Sequence, residues 1–273
     1  MSQRRLMDLW QRRGETFGRR SGLLQRGEAL QSIMNESLHF LGDLEGPILD
    51  VGCGDGIPTS NLVQRFHVIG VDFALTMLSR AKISLPSADF LRASIDHLPL
   101  RRNTIPAVAC YFVLSDYTDR SLLLNELQRV LQPAGKLVLA DYSSNDDFNN
   151  LLDDLQRRVL DKDRGMLRLD SDSLSREVEK AGFKVRTAKE LRHPLKIGLD
   201  TFIDQLYLSS AGAQYKEKKL TEDQWRRLLE KRMEGSEVLV TRRFALVLAE
   251  KTGKRFIPIG VCTIFGEGGL PLA

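Results

Sequence analysis

From residue 28 onward the chain alternates short apolar runs with amphipathic stretches. Residues 28–41 place Leu30, Ile33, Met34, Leu38 and Leu41 at helical spacing. Gly42 and Gly46-Pro47 end that helix. Residues 48–51, bounded by glycines, read as a buried strand of a parallel sheet. The pattern predicts a helix over 57–65, a strand at 68–71, a helix over 74–83 and a weak strand at 89–91. A strong strand at 107–113, a helix over 120–131 stopped by Pro133-Ala134-Gly135, and a strand at 136–140 follow. Such alternation implies an α/β fold with a doubly wound, mostly parallel sheet and right-handed crossovers.

The last third changes character. Residues 148–160 and 172–181 read as helices, a strand begins at 183–185, helices are expected over 199–211 and 221–234, and a final strand at 244–249. Some sixty residues separate these last two strands. That exceeds any hairpin loop, so the interval reads as a helical insertion. The expected organisation is an N-terminal helical arm or lid at 1–45, a core at 46–193 and 241–252, a cap at 194–240 and a tail at 253–273.

Composition narrows the class. The chain has 273 residues, 42% hydrophobic and 28% charged, with a formal net charge of +4. That suits one large domain with elaborations. No run approaches the roughly 20 apolar residues of a membrane span, and the arginine-rich start lacks an apolar signal core, so a cytoplasmic location is expected. Cys53, Cys110 and Cys262 form no C-x-x-C pair, so neither a metal site nor a disulfide framework is expected. Residues 1–26 hold seven arginines against Asp8 and Glu15, which leaves the remaining chain slightly acidic. A basic arm can attract nucleic acid or an acidic substrate, but no aromatic residues interleave with these arginines as a stacking platform requires. A solvated helix face is the favoured reading, and the pattern leaves a homodimer open.

The chemistry concentrates in Ile48-Leu49-Asp50-Val51-Gly52-Cys53-Gly54-Asp55-Gly56. A lone G-x-G-x-G is weak, but this one follows a buried strand and opens a helix. Its glycines let the backbone turn sharply and approach a ligand. Asp72 ends the next strand about twenty positions on, where a carboxylate accepts hydrogen bonds from ribose hydroxyls. With Asp50, LDVGCGDG resembles the first motif of the class I S-adenosylmethionine-dependent methyltransferases, and GVDFALTML resembles their second-strand motif. Ala93-Ser94-Ile95-Asp96-His97-Leu98-Pro99 is similar to their adenine-binding segment, and RVLQPAGKL to the turn before their fifth strand. The resemblance covers roughly residues 46–142, with the four blocks in order. It implies a seven-stranded Rossmann-like sheet and S-adenosyl-L-methionine as cofactor, held by Asp50, Gly52, Gly54, Gly56, Asp72, Phe73, Met77, Ser94, Ile95 and Tyr111, with Trp10 of the arm folding over it. Ser94 replaces the usual acidic residue of the adenine segment. The dinucleotide fingerprint is set aside because its third glycine sits one residue further along.

Methyl transfer from a sulfonium requires an aligned nucleophile, exclusion of water and, for a hydroxyl, removal of a proton. Candidates for substrate orientation or proton removal are Asp116 and Tyr117 after the fourth strand, Tyr142 after the fifth, and His193 near the insertion. Each has a structural alternative: Asp116 and Thr118 as helix caps, Tyr142 on a surface turn, His193 in packing. The resemblance also excludes subclasses: no N/D-P-P-Y/F motif and no nucleophilic cysteine follow the fourth strand. A cap containing Phe202, Leu206, Tyr207 and Trp225 favours a small-molecule O- or N-methyltransferase, with natural-product biosynthesis as the expected setting. Methylation of RNA or protein, and cofactor-dependent cyclisation without methyl transfer, remain alternatives.

Overall fold

A computed structural model describes residues 27–117, 119–163, 167–208 and 211–253. The basic arm, Trp10, Thr118 and the C-terminal tail lie outside them. The chain runs α1 (Glu28–Leu41), β1 (Ile48–Val51), α2 (Thr59–Leu62), β2 (Val68–Asp72), α3 (Leu75–Ser84), β3 (Asp89–Arg92), β4 (Ile105–Tyr111), α4 (Ser121–Val130) and β5 (Leu131–Tyr142). It continues with α5 (Asp147–Leu160), α6 (Ser171–Lys180), β6 (Phe183–Gly198), α7 (Leu199–Leu208), α8 (Gly212–Glu217), α9 (Glu222–Leu229), β7 (Met233–Glu234) and β8 (Glu237–Lys251).

The sheet has eight strands in the order β3-β2-β1-β4-β5-β8-β6, with the two-residue β7 attached to β8. The expected doubly wound α/β fold is what forms. β1, β2, β3, β4 and β5 are parallel, and β8 pairs antiparallel with both β5 and β6. Chain order reverses between β1 and β4, which is where such sheets open a ligand crevice at the strands' carboxyl ends. β1 and β4 are buried at every position, because helices cover both faces. One face packs under α4 and α6 through Leu123, Leu127, Leu174 and Val178. The other packs under α1 through Leu30, Ile33 and Met34.

Two elements depart from the expected bounds. The helix expected over 57–65 shortens to Thr59–Leu62, because the glycine turn occupies its first residues. The strands bounding the insertion are far longer than the sequence suggested: β6 and β8 pair from Phe183↔Lys251 to Gly198↔Glu237. Residues 194–198 and 237–240, expected in the cap, therefore belong to a strand pair, and the helices occupy 199–229 at its tip. β6 is an edge strand, where Pro194 is tolerated and its lysines and arginines discourage further pairing. Phe202, Leu206, Tyr215 and Trp225 form a third core with Phe148, Leu151 and Leu155 of α5. The expected apolar stripe is thus cap core. Thr221 and Gln224 close α9 with a capping box.

Candidate active site

Gly52 begins the turn after β1 at a φ of 74°, and a Cβ there would meet Val113 Cγ2 at 2.3 Å. The backbone N–H groups of Gly52 and Cys53 both donate to Val71 O, at 2.7 and 3.0 Å. Gly54, at a φ of 55°, has only Met77 Cε within 4 Å of a would-be Cβ, at 3.9 Å. A side chain at Gly52 would strike protein; one at Gly54 would intrude on ligand space.

Asp72 ties the turn to the end of β2. Its Oδ2 accepts from Gly54 N at 3.0 Å and its Oδ1 from Ala74 N at 2.8 Å. Burial raises its carboxyl above the ordinary value, opposed by those backbone donors. Asp50 lies behind the turn, 1% exposed, and accepts from Thr59 Oγ1 at 2.5 Å. Burial pushes it up to about 7, against the lowering effect of Thr59, with Asp72 adding a smaller rise. Asp50 therefore braces the first turn of α2 from beneath and is not part of the cleft wall.

A cleft opens over these groups. Gly52, Gly54, Asp72, Phe73, Met77, Ile95, Tyr111, Asp116 and Tyr117 all line it, together with Leu30 and Phe112. Gly56 instead borders the adjoining groove with Arg80 and Ile83. Ser94 turns its hydroxyl to Asp96 Oδ1 at 2.6 Å, and Ile95 supplies the apolar wall. Burial would raise the Asp96 carboxyl, but hydrogen bonds from Ser94 and His97 outweigh it and hold it low. Tyr111 is 3% exposed, and its hydroxyl has no hydrogen-bond partner. The neighbouring Ser37 hydroxyl is committed to Ile33 O at 2.7 Å. Burial raises the Tyr111 and Tyr117 phenols well above their ordinary range.

Asp116 ends a short 3-10 turn, Leu114–Asp116. α4 has Arg120 at its N-cap, and Asp119 Oδ1 accepts from Ser121 N, its first residue, at 2.9 Å. Tyr142 and His193 stand off the cleft wall. Tyr142 stacks with Phe112 at 5.1 Å and Phe244 at 5.7 Å, under the guanidinium of Arg242 at 4.8 Å. His193 sits across from Arg242 in the strand pair, its ring 6.2 Å from that of Phe244. Burial lowers its pKa, with Glu28 opposing. Sequence reading missed Phe112, which lines the cleft at a φ of 60°, and Arg242, 3% exposed and paired to the buried Asp146 at 3.0 Å. No periodic signal marks either one.

A Gly-rich turn, a strand-end carboxylate and an apolar wall together form a nucleoside cradle. Residues 49–139 match the family described as "Methyltransferase domain". Over that stretch the chain is similar to the class I S-adenosylmethionine-dependent methyltransferases. Over 97 residues it is 34% identical to demethylmenaquinone methyltransferase of Renibacterium salmoninarum, covering 35% of this chain and 41% of that one. Over 105 residues it is 33% identical to a ubiquinone/menaquinone biosynthesis C-methyltransferase of Syntrophotalea carbinolica, covering 36% and 44%. The chain thus spans less than half the length of these two curated relatives. The fold is similar to that of the YcgJ protein of Bacillus subtilis, with a TM-score of 0.61 at 16% identity over 82% of this chain and 100% of that one. The cofactor of this methyltransferase family is S-adenosylmethionine, and the cradle fits it: Gly54 leaves open space, Asp72 offers a carboxylate to the ribose, and Ile95 a flat apolar surface to the base. Among the described residues, no helix is long and apolar enough to cross a membrane.

Proposed function

We propose that this chain methylates a small, hydroxylated aromatic acceptor bound beside Asp116, Tyr117 and Phe112. The observation that supports it most is one continuous cleft in which the glycine turn and Asp72 share walls with those three side chains. S-adenosylmethionine, when bound, supplies an electrophilic methyl group. Asp72 would hold the ribose hydroxyls, and Gly52, Gly54 and Ile95 the nucleoside. Phe112 and Tyr117 would orient a ring by stacking, and Leu30 of α1 would help exclude water. Asp116 would remove the hydroxyl proton of the acceptor.

Loss of that proton spreads negative charge over the oxygen and the ring carbons ortho and para to it. One activation therefore serves O- or C-methylation. Carbon is the favoured acceptor, because one curated relative is by name a C-methyltransferase of ubiquinone/menaquinone biosynthesis and the other a demethylmenaquinone methyltransferase. The expectation of an O or N acceptor is widened accordingly.

The test is incubation with methyl-labelled S-adenosylmethionine and a set of naphthols and dihydroxynaphthalenes, with products read by mass spectrometry. Asp116→Asn should lower turnover by roughly 10²–10⁴-fold, as expected for loss of a general base, while leaving S-adenosylhomocysteine affinity intact. Asp72→Ala should weaken cofactor binding by about 1.5–3 kcal/mol. Tight cofactor binding without any methylated product across the set would overturn the reading.

A further inference from the structure

We infer that Asp141 is a positioning residue for methyl transfer: it holds the turn that aims Asp116 at the acceptor. This rests on the reading of Asp116 as the base and adds what keeps that base in place.

The β4–β5 ladder ends where Phe112 N donates to Ala140 O at 2.8 Å. Beyond it the chain leaves the sheet through the three-residue 3-10 turn Leu114–Asp116. So short a turn has poor hydrogen-bond geometry and little stability of its own. It closes through Asp116 N to Val113 O and Tyr117 N to Leu114 O, both at 3.1 Å. The Asp141 side chain takes over where the strand partner stops. Its Oδ2 accepts from Ser115 N at 2.8 Å, and its Oδ1 from Tyr142 N at 2.7 Å. A carboxylate thus stands in for the next carbonyl of β5, and a bond to an ionised acceptor is roughly twice as strong as a neutral one.

The other side of the turn is tied as well. Arg120 Nε donates to Leu114 O at 3.0 Å, and its Nη1 faces Glu177 of α6 at 3.6 Å. Asp141 and Arg120 are 4% and 7% exposed. Charged groups are buried at high cost unless they are engaged, and these two grip the same three residues from opposite sides. Burial raises the Asp141 carboxyl, and the Ser115 and Tyr142 donors, with Arg120, oppose that rise.

The two faces of the turn separate holding from chemistry. Asp116 and Tyr117 line the cleft, and Asp141, Ser115 and Arg120 are not part of its wall. Those three border the space behind the turn, with Leu114 and Leu174. Asp141 therefore does not touch an acceptor in the cleft. It acts through Ser115, one residue from Asp116. A misplacement of about 1 Å in a reacting group costs on the order of 10²-fold in rate.

The experiment compares turnover on 1-naphthol, which must lose its hydroxyl proton on the enzyme, with 4-nitro-1-naphthol, which is already ionised in mildly alkaline buffer. Asp116→Asn is the reference and should suppress the first reaction far more than the second. Asp141→Ala should show the same selectivity. It should lower kcat on 1-naphthol by about ten- to a hundredfold and on the nitro compound by less than about threefold, with KM and S-adenosylhomocysteine affinity within about twofold of the parent. Asp141→Asn, which keeps one oxygen for two donors, should lose less. Equal losses on the two acceptors, unchanged turnover on both, or a loss of S-adenosylhomocysteine affinity in both Asp141 variants assigns the residue to structure alone and overturns the inference. Should only Asp141→Ala lose that affinity, the comparison on Asp141→Asn decides. A selective loss in Asp116→Asn with none in the Asp141 variants leaves the base reading standing and overturns this one. If Asp116→Asn lowers the two reactions alike, the base reading falls and this inference with it. No product from the unaltered protein with either compound overturns the acceptor reading itself.

Discussion

The two halves of the sheet organise their polar groups by opposite means. Around β1, β2 and β4 the site is made of backbone: a glycine-rich turn, N–H groups aimed at strand ends, and one buried and one half-buried carboxylate that pin it. Around β5, β6 and β8 it is made of side chains: an arginine sandwiched among Tyr142, Phe148 and Phe244, and a helical cap with its own core. Backbone geometry tolerates almost no change at a given position, whereas side-chain packing can be exchanged piece by piece. A fold reused for many acceptors would keep the first kind of construction for the shared cofactor and vary the second.

The sharpest way to break this division is Trp225→Ala. The residue is 1% exposed in the cap core, so its loss should cost about 3–5 kcal/mol. Hydrogen exchange should rise across 199–229 while S-adenosylhomocysteine affinity stays within twofold. An equal loss of cofactor affinity would mean that the two halves are one cooperative unit. Gly52→Ala tests the other side. Its Cβ would overlap Val113 at a positive φ, so about 3 kcal/mol of stability should go, by urea titration, together with cofactor binding.

Asp50 provides a pH-dependent test of the backbone-built half. Its carboxyl sits at about 7 when folded against 3.8 ordinarily, so the folded state holds its proton more tightly. Its contribution to stability is full below about pH 3.8 and is lost as pH rises to about 7. Asp50→Asn cannot ionise and can still accept from Thr59. Relative to the parent it should gain stability, on the order of a few kcal/mol, between those pH values and stay level above them. A difference that is flat with pH would remove the buried charge from the account. The smallest effect is expected from Gly235→Ala in the cap hairpin. That glycine has a φ of 62° but nothing within 4 Å of a Cβ, so only the backbone cost of about 1 kcal/mol applies. A penalty as large as that at Gly52 would show that steric overlap is not what distinguishes the two positions.

How much the sequence disclosed follows the same boundary. The run from Ile48 to Gly56 and Asp72 was legible because strand, turn and carboxylate follow one another locally. Phe112 and Arg242 were not, since neither a positive φ nor a buried guanidinium leaves a pattern in the chain. β6 was read only at its start. Its residues alternate inward and outward, but the inward ones include Thr187 and Lys189, and its extent is set by pairing with β8, from Gly198↔Glu237 at the tip to the distant Phe183↔Lys251. Tyr142 and His193 were singled out for chemistry, and the structure instead sets them in the aromatic cluster behind Phe112.

The register of the β6–β8 pair carries an implication for how such proteins diversify. Gly198 and Glu237 lie opposite each other at the tip, so the two points where the cap joins the sheet are next-door neighbours. A chain cut at both would need only a two-residue turn to close. The cap is thus a cassette on a two-strand stem, replaceable without rerouting any core strand. What would hold a transplanted cassette in place is the face of α5 bearing Phe148, Leu151 and Leu155. Any exchange must match that face or make it polar, and the compatibility of a new cap would be decided there, some distance in sequence from the graft itself.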